Sequence, residues 1–259
     1  MLKRMLLAIS LATCALGATA ADNTDIWYNP TEPGWGVNLV QSDNFIFATF
    51  FIYDQNGSPT WYTGHLTWDG VSAYTGALFA TTGTWFAAPW QAGNLSLVQA
   101  GTASFAPSSL ATHRGTLSYK VNGLAPVTKS IERQTLTTIL LGGSYTGGQS
   151  GTYSSCANAV DNRAYTDRYD LEVTQLASGN ATFQFTYSAN LTCTLSGMLE
   201  QHGLQYRIPA ATYRCSDGVD TSATLSEIRA TAQGIEGRLS AVSSAGACRE
   251  DAAFSAVLQ

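Results

Sequence analysis

Residues 27–64 read WYNPTEPGWGVNLVQSDNFIFATFFIYDQNGSPTWYTG, and this stretch decides the fold class. Asn29-Pro30 and Glu32-Pro33-Gly34 open it. Proline fixes φ and glycine admits positive φ, so the start is an ordered turn rather than a helix. Val37–Gln41 reads as a short strand. Phe45–Tyr53 (FIFATFFIY) reads as a second. It is apolar at both alternating sets of positions, which predicts a strand covered on both faces. Asn56-Gly57 takes the hairpin position, and Pro59-Thr60-Trp61-Tyr62 begins the return strand.

The aromatic side chains of this stretch admit two readings. In one, they are a β core whose indole N–H and phenol O–H groups find partners inside it. In the other, Trp27, Tyr28, Trp35, Trp61 and Tyr62, with Trp85 and Trp90 of a later aromatic loop, line a pocket or face for a ligand. Such a surface stacks on a carbohydrate or holds a small apolar molecule.

The rest of the chain repeats the style. Only 12% of its 259 residues are charged while 45% are hydrophobic, which excludes disorder and suits a β protein rich in turns. Residues 1–20 read as a signal peptide. Lys3 and Arg4 precede the apolar run Met5–Gly17, and Ala18-Thr19-Ala20 gives the cleavage site. Lipoprotein processing at Cys14 is the minor alternative. The mature chain is thus expected in the periplasm or outside the cell. Removal of the segment takes two bases and no acid, moving the formal charge from −5 to −7. A net acidic chain lacks the basic footprint of a nucleic-acid binder. No later stretch is long and apolar enough for a membrane helix.

Composition then divides the chain. All six Trp precede residue 91, and the four remaining cysteines, Cys156, Cys193, Cys215 and Cys248, follow residue 155. Residues 136–259 carry seven Arg and no Lys. We therefore expect two domains, a Trp-rich one over 22–135 and a cysteine-stapled one over 140–259. Each reads as about eight short strands at meander spacing. The expected fold is all-β, two tandem antiparallel calycin-like meander barrels or sandwiches. If successive strands reverse, all four cysteines fall at one end of the second barrel. Three pairings are open. Neighbouring strands of a closed barrel favour Cys156–Cys248 with Cys193–Cys215.

Chemistry is sparsely signalled. The three histidines form no metal-ligand pattern, the cysteine spacings match no zinc site, and no phosphate or dinucleotide fingerprint or serine-nucleophile motif occurs. No metal, cofactor or catalytic residue is assigned. Acids at 161, 167, 170, 172, 227, 236, 250 and 251 are interleaved with Arg, which points to surface ion pairs. A hydrolase using an acidic pair stays as an alternative, beside a structural protein whose aromatics are buried at an interface.

Residues 27–36 (WYNPTEPGWG) and 51–62 (FIYDQNGSPTWY) resemble secreted proteins of Gram-negative bacteria with the motif W-[WY]-N-P-x-E-x-G-W-G followed by F-x-Y-D-x-x-G-x-P-x-W-Y. The second half, with GSYTGGQSGTYSSC, LTCTLSG and CRED, is similar to a module that accompanies it. The resemblance implies export and architecture and no activity. Glycine and tryptophan at the start of a meander barrel are also similar to lipocalins and avidins, a fold-level likeness.

Overall fold

The computed structural model describes residues 22–242 and 248–259; the expected signal peptide, with Cys14, lies outside them. Eight antiparallel strands form a closed first barrel in chain order: β1 (Asp25–Tyr28), β2 (Gly36–Ser42), β3 (Phe45–Tyr53), β4 (Pro59–Trp68), β5 (Tyr74–Thr82), β6 (Ser96–Pro107), β7 (Arg114–Val121) and β8 (Val127–Arg133). β1 pairs with both β2 and β8, which closes the ring.

Nine strands build the second sheet: β9 (Gly143–Ser154), β10 (Arg163–Gln175), β11 (Asn180–Tyr187), β12 (Thr192–Met198), β13 (Glu200–His202), β14 (Gln205–Cys215), β15 (Asp220–Ala230), β16 (Gly234–Val242) and β17 (Arg249–Leu258). β12 pairs with β14 and β17 with β9, so eight of the nine close into a second barrel. β13 is a short hairpin appended to β14.

The hydrophobic pattern explains both rings. Side chains alternate across a strand, and a closed ring has one inside. In β3 the buried set is Ile46, Ala48 and Phe50, packed with Trp27, Leu39, Leu66, Phe105 and Leu117. The expectation that β3 is covered on both faces fails. Phe45, Phe47, Phe51 and Tyr53 point outward and are 37–58% exposed, because a single-layer barrel offers only one core. The second core has Leu171, Val173, Phe183, Phe185, Leu195, Leu225 and Phe254 at its centre.

Several boundaries differ from the sequence reading. β1 is too short for periodicity to reveal. Leu95–Ala100 and Thr102–Phe105 are one strand, β6, and the register shift lies opposite, at Leu78/Phe79. β14 continues past Pro209 to Cys215, with register shifts on both sides of Ile208 that accommodate a residue lacking an N–H.

The two barrels are joined by buried polar contacts. Arg133, at the end of β8, has no exposed side-chain surface and pairs with Asp25 at 3.1 Å. The same Asp25 oxygen accepts the Leu204 backbone N–H of the second barrel at 2.9 Å. Gly203 sits at φ +62°, and a Cβ there would lie 2.2 Å from that oxygen, so only glycine lets the turn approach. The His113 and His202 rings stack across the junction at 3.8 Å. Burial, helped by the neighbouring His202, lowers the His113 pKa to about 4 and keeps the ring neutral. Arg229 of β15 bonds Asp22. Between β8 and β9, Ile139 N–H donates to the Tyr206 hydroxyl, which donates back to the Ile139 carbonyl.

Candidate functional site

The seven aromatic residues singled out by sequence do not meet. Trp27 lies in the first core, edge-on to Phe105 at 5.0 Å, with its indole N–H donating to the Asn23 carbonyl at 3.0 Å. Tyr28 and Tyr62 are half-buried in β1 and β4. Trp35 is half-buried at the barrel end, donating to Glu32 at 3.3 Å, while Lys129 pairs with the same carboxylate. Trp61 stands on the outer face opposite Phe51 and is 55% exposed. Trp85 and Trp90 project from the β5–β6 connection. They therefore fall into three settings: core, outer wall and loop.

A tyrosine-lined cavity does occur, in the other barrel. Disulfides Cys156–Cys248 and Cys193–Cys215 stand at one end of the second ring, the latter across the β12–β14 register pair. Such bridges suit an oxidising compartment. Between them opens a cavity of about 230 Å³ whose wall includes Tyr153, Tyr187, Tyr213, Gln149 and Glu250. The apolar core fills the barrel below, so the cavity is a mouth rather than a channel.

Each wall residue is placed by strand alternation. Glu250 is in phase with Ala252, Phe254 and Ala256, all buried on β17, whereas its neighbours Arg249 and Asp251 face outward and pair with each other at 2.6 Å. Tyr165 is in phase with Tyr169, Leu171 and Val173 on β10. Gly151 of β9 opposes it, and a Cβ at that glycine would lie 2.9 Å from the Tyr165 ring, so the ring lies flat only over glycine. Tyr165 stacks on Tyr153 at 4.7 Å between centroids.

Three hydrogen bonds then run in one direction. The Tyr187 hydroxyl donates to Gln149 Oε1 at 3.1 Å, Gln149 Nε2 donates to the Tyr165 oxygen at 3.3 Å, and the Tyr165 hydroxyl donates to Glu250 Oε1. Each donor points toward the carboxyl group, an order that suits an ionised acceptor at its end. Glu250 is only 8% exposed. Burial raises its pKa above the usual carboxylate range, with Asp167 and Asp251 adding to the rise and the Tyr165 bond opposing it. Burial likewise raises Tyr153, to about 12, aided by the Glu250 and Asp167 charges, and it raises Tyr165, Tyr187 and Tyr213 as well. All four phenols are neutral donors at ordinary pH.

Sequence reading placed Glu250 among surface ion pairs. The missed signal was the period-two phase of β17, which extends back through Ala252 to Glu250. Among the other acids of that expectation, Glu227 pairs with Arg238 at 3.0 Å and Asp251 with Arg249 at 2.6 Å, whereas Asp170 and Glu172 accept from the Thr146 and Ser144 hydroxyls instead of an Arg. A larger groove of about 810 Å³ is open, and its Arg229 and Arg238 are held by Asp22 and Glu227. Among the described residues no helix is long and apolar enough to cross a membrane, and no group of three or more His, Cys, Asp or Glu is placed to hold a metal ion.

No family model matches the chain, and no curated protein matches it. Among solved structures, a protein of unknown function from the DUF3598 family of Nostoc punctiforme aligns over 92% of this chain and 94% of its own. The identity is 9% and the TM-score 0.28, so the fold assignment stands on this chain's own strand pairing.

Proposed function

We propose that this is an exported, non-catalytic binding protein whose small-molecule site is the tyrosine-lined mouth of the second barrel. The observation that carries the reading is the cavity of about 230 Å³, framed by two disulfides, with a buried carboxyl group in its wall. Ligand sites in small barrels sit at the mouth, mostly apolar and aromatic with a few placed polar groups. Flat phenols supply contact area with little rotamer entropy to lose, and the disulfides hold the strand ends that carry them. The aromatic pocket sought in the sequence is thus best placed in the second barrel rather than among the tryptophans.

Val219 sits half-buried at the cavity wall. Val219→Trp should fill the mouth without disturbing the closed sheet. Thermal unfolding of the wild type is expected to rise by at least about 3 °C with some class among sugars, phenols, amines and short fatty acids, since a ligand that binds only the folded state stabilises it. The filled variant should keep its circular dichroism and lose the shift. A full panel that moves neither protein rejects the reading.

A second reading is favoured by the outer wall of the first barrel. Phe45, Phe47, Phe51, Tyr53 and Trp61 all face outward, on strands whose only titratable groups are Tyr and His65. Contiguous exposed aromatics stack on glycans or are covered at a subunit interface. Sedimentation velocity should show a dimer that Phe51→Ser with Trp61→Ser returns to monomer. Alternatively, retention on an insoluble polysaccharide should be lost in the same variant. A monomer whose retention ignores both substitutions removes this reading.

A further inference from the structure

We infer that the mouth of the second barrel takes a small organic cation, an arylalkylamine or a quaternary ammonium of similar bulk, held between tyrosine faces with its charge on Glu250. The inference rests on the reading of that cavity as a ligand site and adds the charge class of the ligand.

Three independent observations carry it. The first is the charge of the wall. The cavity is bordered by Glu250, Asp167 and Asp217, and no Lys, Arg or His lines it among the described residues. The second is the state of Glu250. It is nine-tenths buried; Oε1 takes the Tyr165 hydroxyl, and Oε2 is not among the buried side-chain oxygens left without a partner, so it meets the water of the cavity. A largely desolvated carboxylate that still meets cavity water gains a charge-assisted bond from a cation that replaces that water. The third is the aromatic wall. Of the lining tyrosines Tyr153, Tyr187 and Tyr213, Tyr187 has committed its hydroxyl proton to the chain that ends on Glu250, so what it offers a guest is ring surface. The negative face of an aromatic ring attracts ammonium groups, and desolvation strengthens the attraction.

The alternatives fit worse. An anion would meet three carboxyl groups. A sugar would leave the carboxylate without a counter-charge, and an apolar guest would bury it further. Size agrees as well. A dry cavity of about 150 Å³ accepts benzene, so a volume of about 230 Å³ suits a phenyl ring with a two-carbon ammonium arm.

The groups facing Glu250 are Tyr153 on β9, Tyr165 and Asp167 on β10, Tyr187 on β11, Tyr213 and Asp217 on and after β14, and Arg249 and Asp251 beside it on β17. Arg163 is held 5.9 Å from the Tyr153 ring. Only Glu250 is both buried and ionisable in the acid range with its pKa raised, so binding of a cation must compete with its protonation. Affinity should therefore fall as the pH drops. Tetraethylammonium, which has no proton of its own to lose, isolates that dependence.

The test is calorimetric titration of the intact, oxidised protein at pH 8 and pH 5 with four probes: phenethylamine, tetraethylammonium, 2-phenylethanol and phenylacetate. We expect at least one of the two cations to bind the wild type at pH 8 at least tenfold more tightly than the isosteric alcohol, and no binding of the acid. The cation should weaken by at least threefold at pH 5, and Glu250→Gln should lose at least tenfold of its affinity. Equal binding of cation and alcohol, or of wild type and a folded Glu250→Gln, overturns the charge assignment while the cavity survives as a site. Cation binding that Val219→Trp leaves unchanged overturns the cavity reading itself. The isostere comparison uses wild type alone, so a Glu250→Gln chain that fails to fold does not spare the inference. Absence of heat with both cations rejects it.

Discussion

Alanine at position 27 is expected to lower the unfolding free energy by about 3–5 kcal/mol, the usual range for deleting a large buried aromatic side chain. Trp27 has no exposed surface. Its ring touches Phe105, its N–H satisfies the Asn23 carbonyl, and the Arg133 guanidinium lies 4.7 Å from its centroid. Its loss therefore opens a cavity, orphans a carbonyl and strips the apolar cover from a buried cation. Alanine at position 61 should cost less than about 1 kcal/mol, because Trp61 stands on the outer wall with half its surface in water. Urea unfolding followed by far-UV circular dichroism compares the two. Equal midpoints for both variants would contradict the division of the tryptophans into core and surface.

The second large effect is expected at Asp25. Asp25→Ala leaves the Arg133 charge buried without its counter-ion and the Leu204 N–H without an acceptor. Breaking one side of a buried ion pair costs about 3–5 kcal/mol. The guanidinium keeps its bonds to the Asp22, Thr24 and Thr112 carbonyls, so it stays in place and the lost term is mainly the charge pairing. Because Leu204 belongs to the second barrel, the substitution also loosens the joint, and thermal unfolding should broaden or split into two transitions. Replacing both partners, Asp25→Leu with Arg133→Met, should recover part of the loss, since the unpaired charge leaves with its partner. A double variant less stable than Asp25→Ala would show that the pair is not what holds the joint.

The fold was largely legible because period-two alternation and Asn-Gly or Asp-Gly turns mark individual hairpins. Gly57, Gly70 and Gly123 all take the positive φ those turns need. What stayed hidden is set by closure. FIFATFFIY reads as a doubly covered strand, yet a ring gives each strand one inside, so half of those aromatics face out. The candidate site was hidden for a different reason. Tryptophan density drew attention to the first barrel, whereas Tyr153, Tyr165, Tyr187 and Tyr213 lie far apart in sequence. Only the pairing of β9 with β10 and β17 brings Tyr153, Tyr165 and Glu250 together. Arg249 and Asp251 on either side of Glu250 disguised a buried acid as part of a surface cluster.

The position of β17 has a consequence for how the molecule matures. This strand seats between β9 and β16, with Glu250 opposite Tyr153 on one side and Ala241 on the other. The second ring therefore stays open until residues 249–258 have been made, and its closure joins segments that the Cys156–Cys248 bridge shows to be 92 residues apart. Contacts so distant in sequence form slowly. The same event that completes the ring delivers the carboxyl group to the cavity. A chain clipped before Arg249 has neither, so the proposed site exists only in molecules whose second ring has closed.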